Sequence, residues 1–278
     1  MSDFIFGTVG APISTPKKPG GSVGAIQTLA SLGLHAFELG WVQSVRVSEE
    51  TCLSIKNAAK VNNVSLSVHA PYFINLNSTD EEWPKSRKRL MDAAYFGNLA
   101  GATDIIFHPG SYFGTPAIEV LKKAIPRLED CMFELRSQNN FVILRPETMG
   151  KSALLGSFDD VLEMSRSIEG VFPCLDFAHL HARPGDGSVN STSEWESLIE
   201  KYSKTLGEDS LRAIHIHLSG IEYSDKGERN HLPLRESDLL LSELFSVLKS
   251  ASCQGRILCE SPIMEEDAIY MHELWNSI

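Results

Sequence analysis

The sequence predicts an α/β protein built as a single (β/α)8 barrel, a TIM barrel, that spans residues 1–278. Eight short runs of apolar, β-branched or aromatic residues alternate with longer segments of helical periodicity. Strands that alternate with helices form a parallel sheet, and eight such units fit a chain of 278 residues. The chain has no Pro/Ser-rich linker or low-complexity tract, which favours one domain over two.

Each predicted strand begins one strand–helix unit. The strands are Phe4–Thr8, His35–Leu39, Ser65–His69, Asp104–His108, Phe141–Leu144, Val171–Asp176, Ala213–Leu218 and Arg256–Glu260. The helical segments between and after them are Val23–Leu32, Ser48–Asn62, Pro84–Ala100, Ala117–Gln138, Ser157–Ile168, Ser193–Leu206 and Ser237–Ser250. Ser48 is followed by two glutamates, a helix N-terminal signal, and Pro126 is expected to kink or split its helix.

Composition and charge restrict the classes of function. Apolar residues make up 42% of the chain and charged residues 22%, as in ordinary globular proteins. Five scattered cysteines without a C-x-x-C pair predict a reducing cytoplasm and no thiolate zinc cluster. We expect a monomer that does not bind membranes, because no apolar run approaches a membrane span and no secretion signal is recognisable. The net charge of −11 repels nucleic acid, so such a partner would need a local positive patch or bound cations.

The strand ends carry side chains that can bind metals or transfer protons. These residues are Glu38, His69, His108, Glu147, Asp176, His217 and Glu260, spaced 29 to 43 residues apart. Because the C-terminal strand ends of this barrel share one face, we expect these side chains to converge. Each position alone has an ordinary explanation, such as a buried structural histidine, a turn residue or a helix cap. Together, however, crowded carboxylates would repel one another unless cations were bound between them.

The types of ligand indicate the metal. Histidine nitrogens mixed with carboxylate oxygens, without cysteine, favour Zn2+, Mn2+ or Fe2+ over Mg2+ or Ca2+. Asp176 is followed three residues later by His179, a spacing that suits a metal site at the end of a strand. More than four ligands suggest more than one ion, and Glu147 is suited to bridge two ions about 3.5–4 Å apart. His215 shares the inward face of its strand with His217 but is expected deeper in the barrel.

Six stretches of the chain resemble the endonuclease IV family of abasic-site nucleases, AP endonuclease family 2, within the xylose-isomerase-like barrels. They are His69-Ala-Pro-Tyr-Phe-Ile-Asn-Leu, His108-Pro-Gly-Ser, Arg145-Pro-Glu147-Thr, Leu175-Asp-Phe-Ala-His179, His217-Leu-Ser-Gly with His231 downstream, and Leu258-Cys-Glu260-Ser-Pro. The first two stretches are the most specific, and all six follow the order of the family. The resemblance implies a metal-dependent hydrolase at the mouth of the barrel.

The resemblance also implies three zinc ions. The first would be held by His69, His108 and Glu147, and the second by Glu147, Asp176, His217 and Glu260. The third would be held by His179 and His231, with an aspartate two residues before His231. This chain has Arg229 at that position, and an arginine cannot bind zinc. Glu228 or another carboxylate therefore substitutes, or the third ion is weakly bound or absent, which leaves two to three ions.

The activity implied by the resemblance is hydrolysis of the DNA phosphodiester on the 5′ side of an abasic site, as in base excision repair. The partner would be double-stranded DNA that contains abasic sites, with Glu147 and Glu260 as catalytic residues and zinc as the cofactor. Tyr72 and Phe73 would insert into the duplex where the base is missing, since such side chains unstack and kink DNA. Arg46 is expected to contact a phosphate.

Two other functions fit parts of the pattern. A sugar or sugar-acid isomerase or epimerase would need one ion, for which four of the residues suffice: Glu147, Asp176, His217 and Glu260. The additional histidines disfavour this alternative. A non-catalytic protein that recognises damaged DNA would fit the loss of a third ion at Arg229.

Two further motifs have simpler interpretations. Gly150-Lys151-Ser152 resembles the end of a phosphate-binding loop, but the glycine required five residues earlier is Arg145. We therefore interpret it as the loop after the fifth strand. A basic cluster, made up of Lys85, Arg87, Lys88 and Arg89, is interpreted as a solvated helix face rather than an anion site.

Overall fold

The computed structural model describes residues 4–278. Its strands are β1 (Ile5–Val9), β2 (Ala36–Gly40), β3 (Ser65–His69), β4 (Asp104–Phe107), β5 (Ile143–Pro146), β6 (Cys174–Asp176), β7 (Ile214–Leu218), β8 (Gly220–Ser224), β9 (Gly227–Leu232) and β10 (Gly255–Cys259). Eight of them form one parallel sheet in the order β5-β4-β3-β2-β1-β10-β7-β6. Parallel bridges from Leu144 to Val171 and from Glu147 to Cys174 join the two edge strands. The predicted (β/α)8 barrel is confirmed.

Helices follow the barrel strands. They are α1 (Gly21–Ser31), α2 (Glu49–Asn62), α3 (Trp83–Ala100), α4 (Ala117–Ser137), α5 (Phe158–Ser167), α6 (Phe177–Ala182), α7 (Thr192–Leu206), α8 (Leu241–Ser250) and α9 (Glu265–Ser277). Ser48 caps α2 as predicted, because its side chain accepts a hydrogen bond from the amide of Thr51. The predicted start of α8 at Ser237 is wrong by four residues. Ser237 is extended, and its hydroxyl accepts from the amides of Ile221 and Leu239.

Two local predictions need correction, and a third is narrowed. Of the kink or split predicted at Pro126, the split is excluded, because α4 runs unbroken past the proline; Pro126 is exposed, so water can satisfy the carbonyl that its missing N–H leaves free. The fifth strand begins at Ile143 rather than Phe141, whose side chain is 71% exposed and lies under the guanidinium of Arg136. The sixth strand is reduced to three residues, since Pro173 lacks an N–H to donate to a neighbouring strand.

Two elements near the mouth of the barrel were not predicted. Helix α6 begins directly from β6, where Asp176 Oδ1 accepts a hydrogen bond of 2.7 Å from the amide of His179. Strands β8 and β9 form an antiparallel hairpin that turns at Asp225 and Lys226 and continues through Gly227, whose φ is +91°. These elements carry His179 and His231, so they decide where two of the predicted ligands lie.

The lower ionic layer, made up of Asp104, Arg145 and Arg256, fills the opposite end of the barrel interior. Arg145 Nε donates to Asp104 Oδ1 at 2.5 Å, and Arg256 Nη2 lies 3.1 Å from Asp104 Oδ2. Arg145 also donates to the carbonyls of Pro173 and Ala213. Burial favours the neutral acid, but the two guanidinium groups outweigh it and hold the pKa of Asp104 well below its usual range.

The remaining expectations concern cysteines and membranes. All five cysteines are free and buried. Within residues 4–278, no helix combines the length and the apolar character needed to cross a bilayer.

Candidate metal centre

The eight predicted metal ligands meet at the C-terminal end of the barrel. They form three groups, and within each group the ligand atoms lie within 4.8 Å of one another. The first group is His69, His108 and Glu147; the second is Glu147, Asp176, His217 and Glu260; the third is Asp176, His179 and His231. The first two have the members that the resemblance implies, and the third contains both of its implied histidines.

Glu147 is shared between the first and second groups. Its Oε2 lies 3.2 Å from Nε2 of His69 and 3.5 Å from Nε2 of His108. Its Oε1 lies 3.5 Å from Nδ1 of His217 and 3.4 Å from Nδ1 of His179. The two oxygens of one buried carboxylate thus face two different sets of ligands, which is the arrangement that a bridging carboxylate requires.

Backbone carbonyls fix the orientation of three imidazole rings. Nδ1 of His69 bonds the carbonyl of Ala70 at 3.0 Å, and Nδ1 of His179 bonds that of Thr148 at 2.9 Å. Nδ1 of His231 bonds the carbonyl of Glu260 at 3.1 Å. A carbonyl can only accept, so each Nδ1 carries the proton and, in the neutral ring, Nε2 presents a lone pair to the centre. Metal-ligating histidines commonly have this second hydrogen bond.

The second group contains buried polar atoms that make no hydrogen bond within residues 4–278. Glu147 Oε1, Asp176 Oδ2 and His217 Nδ1 make no hydrogen bond to any described residue. Buried polar atoms of this kind cost free energy unless they are paired or bind a metal. A divalent cation held by this group would supply the missing partner to all three, so the donor set fits Zn2+, Mn2+ or Fe2+. Cys174 lies nearby, but burial raises the pKa of its thiol and disfavours the thiolate that a metal would need.

The pKa shifts in the centre reflect the close approach of its carboxylates and imidazole rings. Burial raises the pKa of Asp176 to about 6, with Glu260 and Glu147 adding to the effect against the opposing influence of His179. Burial alone would lower the pKa of His179 and of His217. Asp176, Glu147 and Glu228 raise the pKa of His179 well above its ordinary value, and Cys174, followed by the carboxylates of Glu38, Glu260 and Glu147, does the same for His217. Protons on these groups offset the negative charge, and a bound cation would displace them.

Glu38, the remaining strand-end candidate, lies below these groups and contacts two histidines of β7. Its Oε2 accepts from Ser67 Oγ at 2.6 Å and lies 3.0 Å from Nε2 of His215. Its Oε1 lies 3.0 Å from Nε2 of His217, the ring whose Nδ1 faces Glu147. His215 is thus deeper than His217, as predicted. Although Glu38 lies within reach of a cluster with His69 and His217, its position behind His217 suits orientation of that ring better than direct ligation.

The predicted DNA-contacting residues lie on loops at this face. The Tyr72 ring stacks on His108 with centroids 4.8 Å apart and meets His69 edge-on, while 46% of the residue stays exposed. Burial, with the charges of Glu260 and Glu147 beside it, raises the pKa of Tyr72 to about 12, so its hydroxyl stays protonated. Arg46 is exposed on the loop after β2, where it forms no ion pair with residues 4–278.

Phe73 is more exposed than its neighbour and is supported by the basic cluster. Its side chain is 58% exposed, and Arg89 lies over the ring at 5.8 Å while donating to the Phe73 carbonyl. The other three members of the cluster pair with acidic residues: Lys85 with Glu82, Arg87 with Asp130 and Glu134, and Lys88 with Asp92. Their charges are largely neutralised within the chain, in line with a solvated face.

Comparison with known sequences places the chain in a family. The xylose isomerase-like TIM-barrel family matches residues 26–275. An uncharacterized protein of Methanocaldococcus jannaschii is 34% identical over 99% of this chain and 98% of its own length. A probable endonuclease 4 of Aster yellows witches'-broom phytoplasma is 28% identical over 93% of this chain and 91% of its own. One from Oceanobacillus iheyensis is 29% identical over 62% of this chain, a match that spans 58% of that relative.

Solved structures support the fold. A D-tagatose 3-epimerase-like protein superposes with a TM-score of 0.73 at 18% identity, covering 97% of this chain and 96% of that one. Endonuclease IV from Thermus thermophilus superposes with a TM-score of 0.69, also at 18% identity, covering 97% and 98%. At these identities the likeness concerns the barrel and leaves the chemistry open. The chain belongs to the xylose isomerase-like TIM-barrel family, and the resemblance to endonuclease IV predicted from its motifs is confirmed.

Proposed function

We propose that this protein is a metal-dependent endonuclease that hydrolyses DNA on the 5′ side of an abasic site. The observation that carries the proposal is the position of Glu147, whose two oxygens face the first and second ligand groups separately. A phosphodiester displacement has an attacking and a leaving oxygen, and a pair of neighbouring sites suits both. Divalent cations bound there, zinc above all, would neutralise phosphate charge and lower the pKa of water.

The residues of the chain have distinct roles in this proposal. Glu147 would bridge the two sites, and Glu260, whose Oε1 lies 3.4 Å from Nδ1 of His217, would complete the second one. Tyr72 stacks on His108 at the edge of the first group. Its protonated hydroxyl can donate a hydrogen bond to a phosphate oxygen.

Recognition of the lesion is assigned to the loop after β3 and to Arg46. Phe73 presents an exposed ring that Arg89 holds in place, as a side chain that inserts into a base stack requires. A missing base lowers the cost of that insertion. Arg46 would contact a backbone phosphate. The net charge of −11 opposes DNA binding, so cations at the mouth would contribute the attraction that the composition lacks. The relatives named probable endonuclease 4 support this choice of substrate.

Incision of a defined duplex tests the proposal. The protein is stripped of metal with a chelator and reloaded with zinc or manganese. It is then incubated with a duplex that has tetrahydrofuran in place of one nucleoside. We expect a cut on the 5′ side of the lesion that leaves a 3′-hydroxyl extendable by a polymerase. Glu147 is a proposed direct ligand, so Glu147→Gln should lower the incision rate by more than the roughly 10–100-fold loss that follows mutation of a residue that only orients a ligand. Glu222→Gln, a matched change on the exposed hairpin, should retain it. Absence of incision with either metal would refute the proposal.

A second measurement isolates lesion recognition. Phe73→Ala should weaken binding to abasic DNA by about 1–3 kcal/mol, the usual contribution of one stacked aromatic side chain. Its metal content should equal that of the wild type, because the ring is not part of any ligand group. Equal affinity of the variant and the wild type for abasic DNA would remove Phe73 from the recognition surface.

A sugar or sugar-acid epimerase is the second candidate. The second group alone offers four ligands for one ion, and a D-tagatose 3-epimerase-like protein shares the fold. This alternative predicts one zinc or manganese ion per chain, epimerisation of a ketohexose and no binding to abasic DNA. Elemental analysis of the preparation used for the incision assay separates the two candidates, since the nuclease requires at least two ions.

A further inference from the structure

The β8–β9 hairpin brings a carboxylate to the third group from a position other than the one that the resemblance implies. We infer that Glu228 is a second carboxylate ligand of that group, in addition to Asp176, placed there by a β-bulge at Arg229. This inference rests on the proposed metal-dependent function of the same centre. It assigns a chain-specific ligand to a site whose expected aspartate is missing from the sequence.

The pairing of the hairpin identifies the bulge. Ile221 pairs with His231 and Glu222 with Asn230, but Tyr223 pairs with Glu228, so Arg229 is the additional residue. In a regular strand, residues 228 and 231 point to opposite faces, because side chains alternate. One inserted residue reverses that alternation and turns Glu228 to the face of His231.

The side-chain contacts agree with this register. Arg229 Nη1 lies 3.2 Å from Glu222 Oε1, and Asn230 Nδ2 donates to Glu222 Oε2 at 3.0 Å. Two consecutive residues of β9 thus share the outer face, as a bulge requires. On the inner face, Glu228 Oε2 lies 3.6 Å from Nε2 of His179. Arg229 therefore points away from the centre at the very position where the family places its aspartate.

The inner face gathers groups that accept hydrogen bonds. Nε2 of His179 and Nε2 of His231 lie 3.3 Å apart, and each ring bonds a backbone carbonyl through its Nδ1. A proton on one Nε2 would join the two rings by a hydrogen bond, whereas in the neutral rings the two lone pairs face each other, and the Glu228 carboxylate lies beside Nε2 of His179. A bound cation would take the place of that proton and would be shared by these acceptors. Two ligands of tetrahedral zinc with bonds of about 2.0–2.1 Å lie about 3.3–3.4 Å apart. The spacing of the two nitrogens matches that requirement.

Gly150 allows Glu228 to approach. The amide of Glu228 donates to the Gly150 carbonyl at 2.9 Å, at the side of the barrel mouth formed by the loop after β5. A Cβ at residue 150 would lie 2.7 Å from Cβ of Glu228, closer than real contacts allow, and a tight 3.0 Å from Cδ2 of His179. Gly150 is therefore a positioning residue, which gives the Gly150-Lys151-Ser152 stretch a role other than phosphate binding.

Zinc stoichiometry tests the inference without any DNA. The chelated full-length chain is titrated with zinc against a competing chelator, and bound metal is measured by elemental analysis. We expect three ions in the wild type. In Glu228→Gln the affinity for the third ion should fall by at least roughly 10–100-fold, the loss typical when a residue that only orients a ligand is changed. The first two ions should be retained. Gly150→Ala should act in the same direction. Glu222→Gln, the matched control on the outer face, should bind three ions with wild-type affinity.

Arg229→Asp distinguishes the bulge from the family arrangement. Because residue 229 faces outward, the new aspartate should leave the third affinity unchanged. Wild-type zinc binding in Glu228→Gln, or a tenfold gain in Arg229→Asp, would overturn the inference. Two ions in both the wild type and Glu228→Gln would overturn it as well. If Glu228→Gln loses the third ion although the wild type does not cut abasic DNA, the inference stands and only the proposed function fails.

Discussion

The two ends of the barrel interior both bury carboxylates, but they surround them with different neighbours. In the lower ionic layer, one carboxylate, Asp104, lies between the guanidinium groups of Arg145 and Arg256. At the mouth, the carboxylates of Glu147, Asp176 and Glu260 crowd together with imidazole rings, and buried oxygens of Glu147 and Asp176 make no hydrogen bond to residues 4–278. The first arrangement is neutralised by the chain itself, whereas the second has the donor atoms that a bound cation would complete.

A pair of aspartates makes the difference measurable. Asp104 and Asp176 are both nearly inaccessible to solvent, at 2% and 0% exposure. Paired with arginines, Asp104 has a pKa well below its usual range, whereas the pKa of Asp176 is raised to about 6 by burial and by like charges. Burial is the same in both cases, so the neighbours decide whether a carboxylate stabilises the fold or forms a site that awaits a ligand.

Removal of the lower carboxylate should have the largest effect on stability. Asp104→Asn leaves the buried guanidinium group of Arg145 and the partly buried one of Arg256 without their counter-ion, so the free energy of unfolding should fall by about 3–5 kcal/mol at pH 7. Urea unfolding of chelated protein measures it, with Asp130→Asn, on an exposed pair with Arg87, as the control expected to change little. A loss below about 1 kcal/mol would show that the lower layer is not stabilising.

The contribution of Asp104 to stability should depend on pH, and the Asp104→Asn variant shows in which direction. The pKa of Asp104 in the fold lies below its unfolded value of about 3.9. Its stabilising contribution is therefore present above pH 4 and is lost as the pH falls through the folded pKa. The difference in unfolding free energy between wild type and Asp104→Asn should shrink between pH 5 and pH 3. A difference that stays constant or widens over this range contradicts the assignment.

At the mouth the same substitution should behave differently. Asp176→Asn removes a crowded charge and keeps an oxygen that can cap α6, so in chelator the unfolding free energy should not fall. Zinc at 100 times its Kd should stabilise the wild type by about 2.7 kcal/mol per ion. Zinc should stabilise Asp176→Asn by less than it stabilises the wild type, because the variant lacks one carboxylate ligand. Thermal melts with and without zinc measure both quantities, and a loss in chelator like that of Asp104→Asn would erase the contrast between the two ends.

The smallest effect is expected for the layer between the two ends. Glu38→Gln weakens the support of His217, so the affinity of the second group for zinc should fall by about 10–100-fold, as for outer-shell partners generally. Ser67→Ala removes only one hydrogen bond to Glu38 and should change the affinity less. Competition titrations measure both, and unchanged affinity in Glu38→Gln would leave Glu38 without this role.

The strand ends could be predicted from the sequence because barrel strands alternate with helices at regular spacing. His69, for example, ends a buried run before Ala-Pro, and the structure places it at the end of β3 facing Glu147. Glu38 had the same signal but is turned toward His215 and His217, since the geometry of neighbouring strands sets which side chains meet. The hairpin had a weaker signal, the Ser-Asp-Lys-Gly turn at 224–227, because the residues that follow it lack a clear alternation of apolar and polar side chains.

The lower ionic layer had no local signal. Asp104 and Arg145 lie 41 residues apart, and only the register of β4 with β5 brings them together. The same holds for Arg229, which the sequence marks as a departure from the family. The one-residue bulge in β9, which moves Glu228 into its place, depends on pairing with β8.

The sequence alone thus determined the barrel, its inward-facing strand ends and the donor types that favour a transition metal. These depend on periodicity and residue chemistry, which are local properties of the chain. Only the tertiary structure decided which carboxylates are neutralised by arginines and which crowd together at the mouth. It also decided which face of β9 carries Glu228. Each of these depends on the register between strands that are distant in the sequence, because a shift of one residue exchanges the inner and outer faces.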